Sequence, residues 1–414
     1  MIPSTHRVVV TGMGGLCPIG NTWPDVRANL LGKHSGIQYI PEWETVQNMR
    51  TRLGGRVKGA DNMPKHWPRK KTRTMGRVAM LAAQATESAL QQSGLLESPE
   101  LQQGSCGVAY GSTYGSPPAF DEFFSNASVR RNLDGVNASQ FIKFMAHTCA
   151  ANLAQFFGLR GRVIPTTCAC TAGSQGIVYA YEALKYGRQS IMIAGGAEEL
   201  HYLSAAVFDV MFATSTRNND PTSVPRPFDE SRDGLVVGEG AATLILETLE
   251  HAQARGVPIL AEIVGAGTNC DGLHMVNPSP EGMEAVMRLS LQDAGLTSDQ
   301  IGFVNMHGTS TDVGDVAESV ATFHVFQRAV PAASLKSYMG HTLGACGAIE
   351  AWLGISMQQE GWMPPTLHLN QVDEACGALD FLREPRQQGY EYFMTNNFAF
   401  GGVNTSLIFR KWTP

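Results

Sequence analysis

Apolar runs that stop at glycine-rich stretches punctuate this chain along its length. Residues 7–10 read as a buried strand, and Thr11-Gly-Met-Gly-Gly15 after them as a tight turn. Residues 106–110 form a second such strand, leading into 111–116. Residues 191–194 form a third, ending in Gly195-Gly-Ala-Glu-Glu199. A polar, turn-rich stretch over 216–238 precedes a further strand at 241–246. Helical spacing is expected over 21–35 and about 75–93, and again where Ile177, Tyr181 and Leu184 recur at i, i+4 and i+7, with Gly187 as the stop.

Near residue 256 the pattern starts over. A strand at 261–264 runs into Gly265-Ala-Gly-Thr-Asn269, as 8–10 ran into its glycines. A helix over about 281–295 follows, then a strand at 302–305 entering His307-Gly-Thr-Ser-Thr311, which echoes 106–116. Gly340-His-Thr-Leu-Gly-Ala-Cys-Gly-Ala-Ile-Glu350 echoes the small-residue stretch 165–176. Two halves are therefore expected, 1–255 and 256–414, packed as one pseudo-symmetric layered α/β body with site residues on the loops after strands.

Composition narrows the function. The 414 residues are 43% hydrophobic and 16% charged, with a net charge of −6, which argues against a general nucleic-acid binder. No apolar run reaches the ~18 residues of a membrane span, and the start lacks a signal-peptide plan. Eight scattered cysteines do not make a disulfide framework, so a reduced, cytoplasmic, soluble protein is expected. The first glycine stretch fails as a dinucleotide fingerprint, since its third glycine falls at Cys17. A basic run at 65–73 holds Arg69, Lys70, Lys71 and Arg73.

The candidate chemistry sits on three loops. Pro165-Thr-Thr-Cys-Ala-Cys-Thr-Ala-Gly-Ser-Gln-Gly176 puts two cysteines, Cys168 and Cys170, at a helix start, where N–H groups and the helix dipole lower a thiol's pKa. His307 lies on a second loop, Lys336 and His341 on a third. Cys-x-Cys with two distant histidines lacks zinc-ligand spacing, so no metal is expected.

Seven motifs together resemble the elongating β-ketoacyl-[acyl carrier protein] synthases of type II fatty-acid and polyketide synthesis. They are Ala169-Cys-Thr-Ala-Gly173, Ala194-Gly-Gly-Ala-Glu198, Arg226-Pro-Phe-Asp-Glu-Ser-Arg-Asp-Gly234, Gly238-Glu-Gly-Ala241, Asn305-Met-His-Gly-Thr-Ser-Thr311, Lys336-Ser-Tyr-Met-Gly-His-Thr-Leu-Gly344 and Asn397-Phe-Ala-Phe-Gly-Gly-Val-Asn404. The resemblance implies a thiolase-like α-β-α-β-α fold and a decarboxylating condensation with malonyl thioester that needs no cofactor. It selects Cys170 as nucleophile, because Cys168 falls where the family carries a small residue, and adds His307, His341 and a supporting Lys336. Phe208, Phe398, the gatekeeping Phe400, Thr309, Thr311 and Glu350 join as substrate-binding residues, with Glu350 on the helix behind the site. The basic run becomes a docking surface for acyl carrier protein. A homodimer is expected, or a heterodimer with a chain-length partner; a thiolase using coenzyme A esters is the rival enzyme. Ala399 for the usual glycine, Cys346 for an alanine, and the bulky Thr113-Tyr114 depart from the family pattern.

Overall fold

The computed structural model describes residues 5–413. The ten longest strands of its main sheet are β1 Val8–Leu16, β2 Cys106–Gly111, β3 Val163–Thr166, β4 Ile191–Glu198, β5 Gly240–Thr248, β6 Ala261–Cys270, β7 Ile301–Asn305, β8 Pro331–Ala333, β9 Tyr392–Ala399 and β10 Val403–Lys411. The helices that matter here are α1 Arg77–Gln92, α2 Thr148–Phe157, α3 Ala172–Lys185, α4 Pro280–Ala294, α5 Asp312–Phe326 and α6 Cys346–Glu360.

The same connectivity occurs twice. The order β1-β5-β4-β2-β3 in one half is matched by β6-β10-β9-β7-β8 in the other, and in each the first two pairings are antiparallel and the last two parallel. The two runs join where β1 meets β6, Val8 opposite Ile263, so with the short edge strand Asp380–Phe381 the sheet has 11 strands. Helices α3 and α6 fill the space between the two sheet faces. Helices α1 and α2 cover one outer face, α4 and α5 the other. The result is the five-layer α-β-α-β-α arrangement of the thiolase-like fold. Helix α6 is buried from Cys346 to Gln358, as its lack of a polar face requires of a central helix.

The glycines after residue 10 are not a turn. Strand β1 runs through them to Leu16, with a bulge between Val10 and Gly12. Packing explains their composition: a Cβ on Gly12 would stand 2.3 Å from the Ala89 carbonyl oxygen, and one on Gly14 2.4 Å from that of Ala85. Helix α1 therefore lies directly on the strand backbone. Gly265 and Gly267 do the same for α4 in the second half, 2.3 and 2.5 Å from the carbonyl oxygens of Ser290 and Val286. Likewise β4 continues past residue 194 to Glu198.

Candidate active site

Each central helix is entered through a one-turn 3₁₀ segment, Ala169–Thr171 before α3 and Leu343–Ala345 before α6. Ala169 and Leu343 both hold φ of 45°, a left-handed conformation that non-glycine residues adopt at a cost. The residue that follows differs. Gly344 has no room for a side chain, since a Cβ would meet the Thr113 nitrogen at 2.8 Å and Glu198 Oε2 at 2.9 Å. At the matching place in the first half stands Cys170, whose side chain lines a part-enclosed cavity of about 290 Å³.

The structure brings Cys170, His307 and His341 together. His341 Nε2 lies 3.0 Å from Cys170 Sγ, and the two imidazoles meet edge to face with centroids 5.1 Å apart. The donor atoms of all three fall within 4.8 Å of one another, close enough to suggest a metal set. The 3.0 Å separation is that of a hydrogen bond, shorter than the ~3.5 Å between two ligands of one tetrahedral zinc. A buried ammonium beside them also opposes a second cation. Lys336 Nζ bonds Glu350 Oε1 at 2.5 Å, and Asn397 Nδ2 donates to Glu350 Oε2 at 2.7 Å.

Electrostatics fix the resting charges. Burial drives both histidines well below the usual imidazole range, and the Lys336 charge pushes the same way. Both rings are therefore neutral at pH 7. Burial opposes the Lys336 charge, but the Glu350 carboxylate hydrogen-bonded to it outweighs burial and holds the lysine protonated. Burial also lifts Glu350, against the pull of Lys336 and Asn397; the short contact makes the pair ionic. Cys170 departs from the sequence expectation of a depressed pKa. Burial raises it to about 12 despite Lys336, so the resting group is a thiol. Cys168, half-buried, is also raised by burial and does not line the cavity.

Phe208, Phe398, Phe400, Thr309 and Thr311 line the cavity; Glu350 does not, since its carboxylate is turned to Lys336 and Asn397. Phe400 tilts against Phe208 with centroids 5.5 Å apart, and Phe398 meets the His307 ring edge-on at 6.0 Å. Thr309 and Thr311 hydroxyls bond each other at 2.9 Å. Ala399 ends β9 without positive φ; the left-handed positions of that hairpin are Gly401 and Gly402. Cys346 points at the Cys170 loop, its thiol donating to the Cys170 carbonyl at 3.2 Å. Tyr114 bonds Ser204 at 2.7 Å. Arg69, Lys70, Lys71 and Arg73 sit on a short exposed helix, Arg69–Thr72, and its end; Lys71 is partly committed, donating to the Phe156 carbonyl at 2.7 Å.

Two groups escaped the sequence reading. Glu318 accepts the N–H of His307 at 2.6 Å and of Gly308 at 2.7 Å, and burial lifts it to about 8. Asp315 accepts those of Thr309 and Ser310 at 3.0 and 3.1 Å. Both lie on one face of α5, at i and i+3, so the helix after the His307 loop holds that loop by its backbone.

Glu198 and Glu199 end β4 behind the site. Glu198 accepts from the Thr113 N–H, the Thr113 hydroxyl and the Gly344 N–H at 2.9, 2.6 and 3.0 Å. Burial lifts both carboxyls to about 7. The folded state thus binds more protons than the unfolded chain between about pH 4.5 and 7, so stability should fall as pH rises through that window and level off above it. Glu198→Gln should remove part of this slope, on the order of 3 kcal/mol across the window. Denaturation midpoints against pH measure it; an unchanged slope in the variant would rule Glu198 out as its source.

Comparison with known proteins agrees with this geometry. The β-ketoacyl synthase N-terminal domain matches residues 5–252 and its C-terminal domain residues 260–370. The 3-oxoacyl-[acyl-carrier-protein] synthase 2 of Vibrio cholerae is 40% identical over 99% of this chain and 100% of its own. A crystal structure of a β-ketoacyl synthase from Burkholderia phymatum superposes with a TM-score of 0.97 at 50% identity, covering 99% of this chain and 100% of that one. The ishigamide ketosynthase/chain length factor gives 0.90 at 28% identity, with 99% and 100% coverage. With both domains matched in sequence and the fold reproduced over nearly its whole length, the chain belongs to the β-ketoacyl synthase family.

Proposed function

We propose that this chain condenses an acyl group held on Cys170 with malonyl-[acyl carrier protein], releasing carbon dioxide and a β-ketoacyl-[acyl carrier protein] two carbons longer. The observation that carries the reading is one thiol within hydrogen-bond reach of a neutral imidazole, with a second neutral imidazole beside it, on the floor of a cavity.

In the first half-reaction Cys170 attacks the acyl thioester. Its thiol proton passes to His341 Nε2 at 3.0 Å and on to the departing carrier thiolate, so no free thiolate is needed at rest. In the second, the malonyl carbon–carboxylate bond breaks and its electron pair becomes an enolate. His307 and His341, the latter now in its Nε2–H tautomer, each donate an N–H that stabilises the enolate oxygen. The enolate carbon attacks the acyl carbonyl, the carbon–sulfur bond breaks, and Cys170 leaves as a thiolate that takes a proton from solvent. Lys336 contributes by keeping both rings neutral, so that each donates one N–H and neither protonates the enolate carbon. Glu350 acts here through Lys336 rather than on substrate.

Phe398 and Phe400 flank the reacting end, Phe208 extends the apolar wall, and Thr309 and Thr311 offer hydroxyls to the pantetheine arm. We infer a dimer, formed along β3, the free outer edge of the sheet; Val163 on that edge is 44% exposed. A chain-length partner would use the same edge. All eight cysteines are free thiols, which suits a reducing cytoplasm, and no helix among the described residues is long and apolar enough to cross a membrane.

The reaction is tested with acyl thioester and malonyl carrier thioester labelled in the free carboxyl. One labelled carbon dioxide per product two carbons longer is expected. Label retained in product, or extension from acetyl thioester without loss of carbon dioxide, would favour the thiolase reading.

Arg69, Lys70 and Arg73 supply the exposed charge for carrier docking, where attraction acts on encounter. Arg69→Glu with Arg73→Glu should raise KM for carrier-bound acyl groups roughly tenfold at low salt and spare small thioesters. Equal loss with both donors would mark the run as structural.

A further inference from the structure

The cavity is bordered by acidic side chains, carboxylates at its rim beside His274 and, at its base, acids that burial pushes toward the neutral form. Asp233, Asp271, Asp312, Asp315 and Glu318 border it, and no lysine or arginine does. Asp315 and Glu318 lie at the base, buried and turned to the main chain of residues 307–310. The other three stand nearer the rim. The Asp312 side chain is 83% exposed, and its nearest cation, Arg232 at 4.0 Å, is already held by Asp373 at 2.7 Å and Asp315 at 3.8 Å. Asp271 has neutral partners, the Asn404 amide at 2.6 Å and the Ser279 N–H at 3.3 Å. Asp233 faces Arg217 at 3.6 Å.

The acidity continues outside. An adjoining groove shares Pro278, Asp312 and Val313 with the cavity and adds Glu230 and Asp373, set against the same Arg232. On the other side of the rim, Arg50 stacks over Phe212 at 4.7 Å and offers one cation.

A pantetheine arm whose thioester reaches Cys170 places its outer end at this rim. A carrier-borne arm brings one phosphodiester there, whereas coenzyme A brings a diphosphate and a further phosphate. We propose that Asp271 and Asp312, with Glu230 and Asp373 of the groove, form a charge filter that turns away coenzyme A thioesters and reserves Cys170 for arms borne on a protein docked elsewhere. The filter rests on the reading of Cys170 as the acyl acceptor. It makes macromolecular docking obligatory, because the contact energy that overcomes the rim comes from a surface coenzyme A lacks.

The test follows acylation of Cys170 by protein mass with one acyl group on three donors: coenzyme A, neutral N-acetylcysteamine and acyl carrier protein. Asp312→Asn should raise the ratio of coenzyme A to N-acetylcysteamine rates about threefold, and Asp312→Lys roughly tenfold. Near 1 M salt, where screening acts within ~3 Å, the gain should disappear. Because Asp312 opens α5, Glu230→Lys in the groove serves as a second variant, with a smaller change in the same direction. An unchanged ratio in both variants, or a ratio that moves equally at high salt, would overturn the filter. Acyl transfer to Cys170 from none of the three donors in the unsubstituted protein would overturn the parent reading and the filter with it.

Discussion

Cys170→Ala is expected to bring condensation down to the uncatalysed background, while Cys168→Ala keeps most of the activity. The two thiols are separated by one residue, and the backbone divides their fates. Ala169, at φ of 45°, turns the chain so that Cys170 lines the cavity and Cys168 does not. Only Cys170 has an imidazole at 3.0 Å to take its proton. Without that acceptor, a thiol pushed up by burial is a poor nucleophile at neutral pH. Rates of β-ketoacyl formation for the two variants and the unsubstituted chain measure the difference. Comparable losses in both variants would mean that the loop, rather than one sulfur, is what matters.

His307→Ala should cut carbon dioxide release by roughly 10²–10³, the usual cost of one oxyanion donor, and leave acylation of Cys170 close to normal. His341→Ala should do the same to decarboxylation and also slow acylation, because its Nε2 faces the sulfur. The asymmetry follows from position: His307 has Phe398 at its edge, while His341 has the thiol. Single-turnover acylation, read by protein mass, and labelled carbon dioxide release separate the two steps. If His307→Ala impairs acylation as badly as decarboxylation, that ring serves the thiol and the enolate assignment falls.

The doubled α/β architecture was legible because each half repeats one order of strands and helix starts. The glycine stretches at 11–15 and 265–269 misled for a physical reason. Glycine admits a turn, and it equally admits a helix pressed onto a strand backbone; the 2.3 Å clearances at Gly12 and Gly265 show which applies. The loops bearing Cys170, His307, Lys336 and His341 were readable from small residues at strand-to-helix points, and the choice between Cys168 and Cys170 from the family motif. The groups that tune them were not. Glu318 and Asp315 act through backbone N–H groups, so nothing in their spacing names the partner until α5 is seen lying behind the loop. The thiol's charge state was also misjudged. A helix start favours the thiolate, but burial in this cavity floor raises Cys170 to about 12, and the nearby imidazole becomes part of how it reacts.

Ala399 shows a limit of a different kind. A glycine-to-alanine change in this hairpin suggests strain, yet here alanine occupies ordinary strand backbone and the positive φ falls to Gly401 and Gly402. The substitution therefore costs nothing in this conformation.

The central claim is that the acyl chain waits on Cys170 between the two half-reactions. Loading the unsubstituted protein from acyl-carrier thioester without malonyl donor, digesting it, and fragmenting the peptide that carries both Cys168 and Cys170 tests it directly. One acyl mass on Cys170, released when malonyl carrier thioester is added, is the result expected. Acyl mass on Cys168, or on neither sulfur while product still forms, would contradict it.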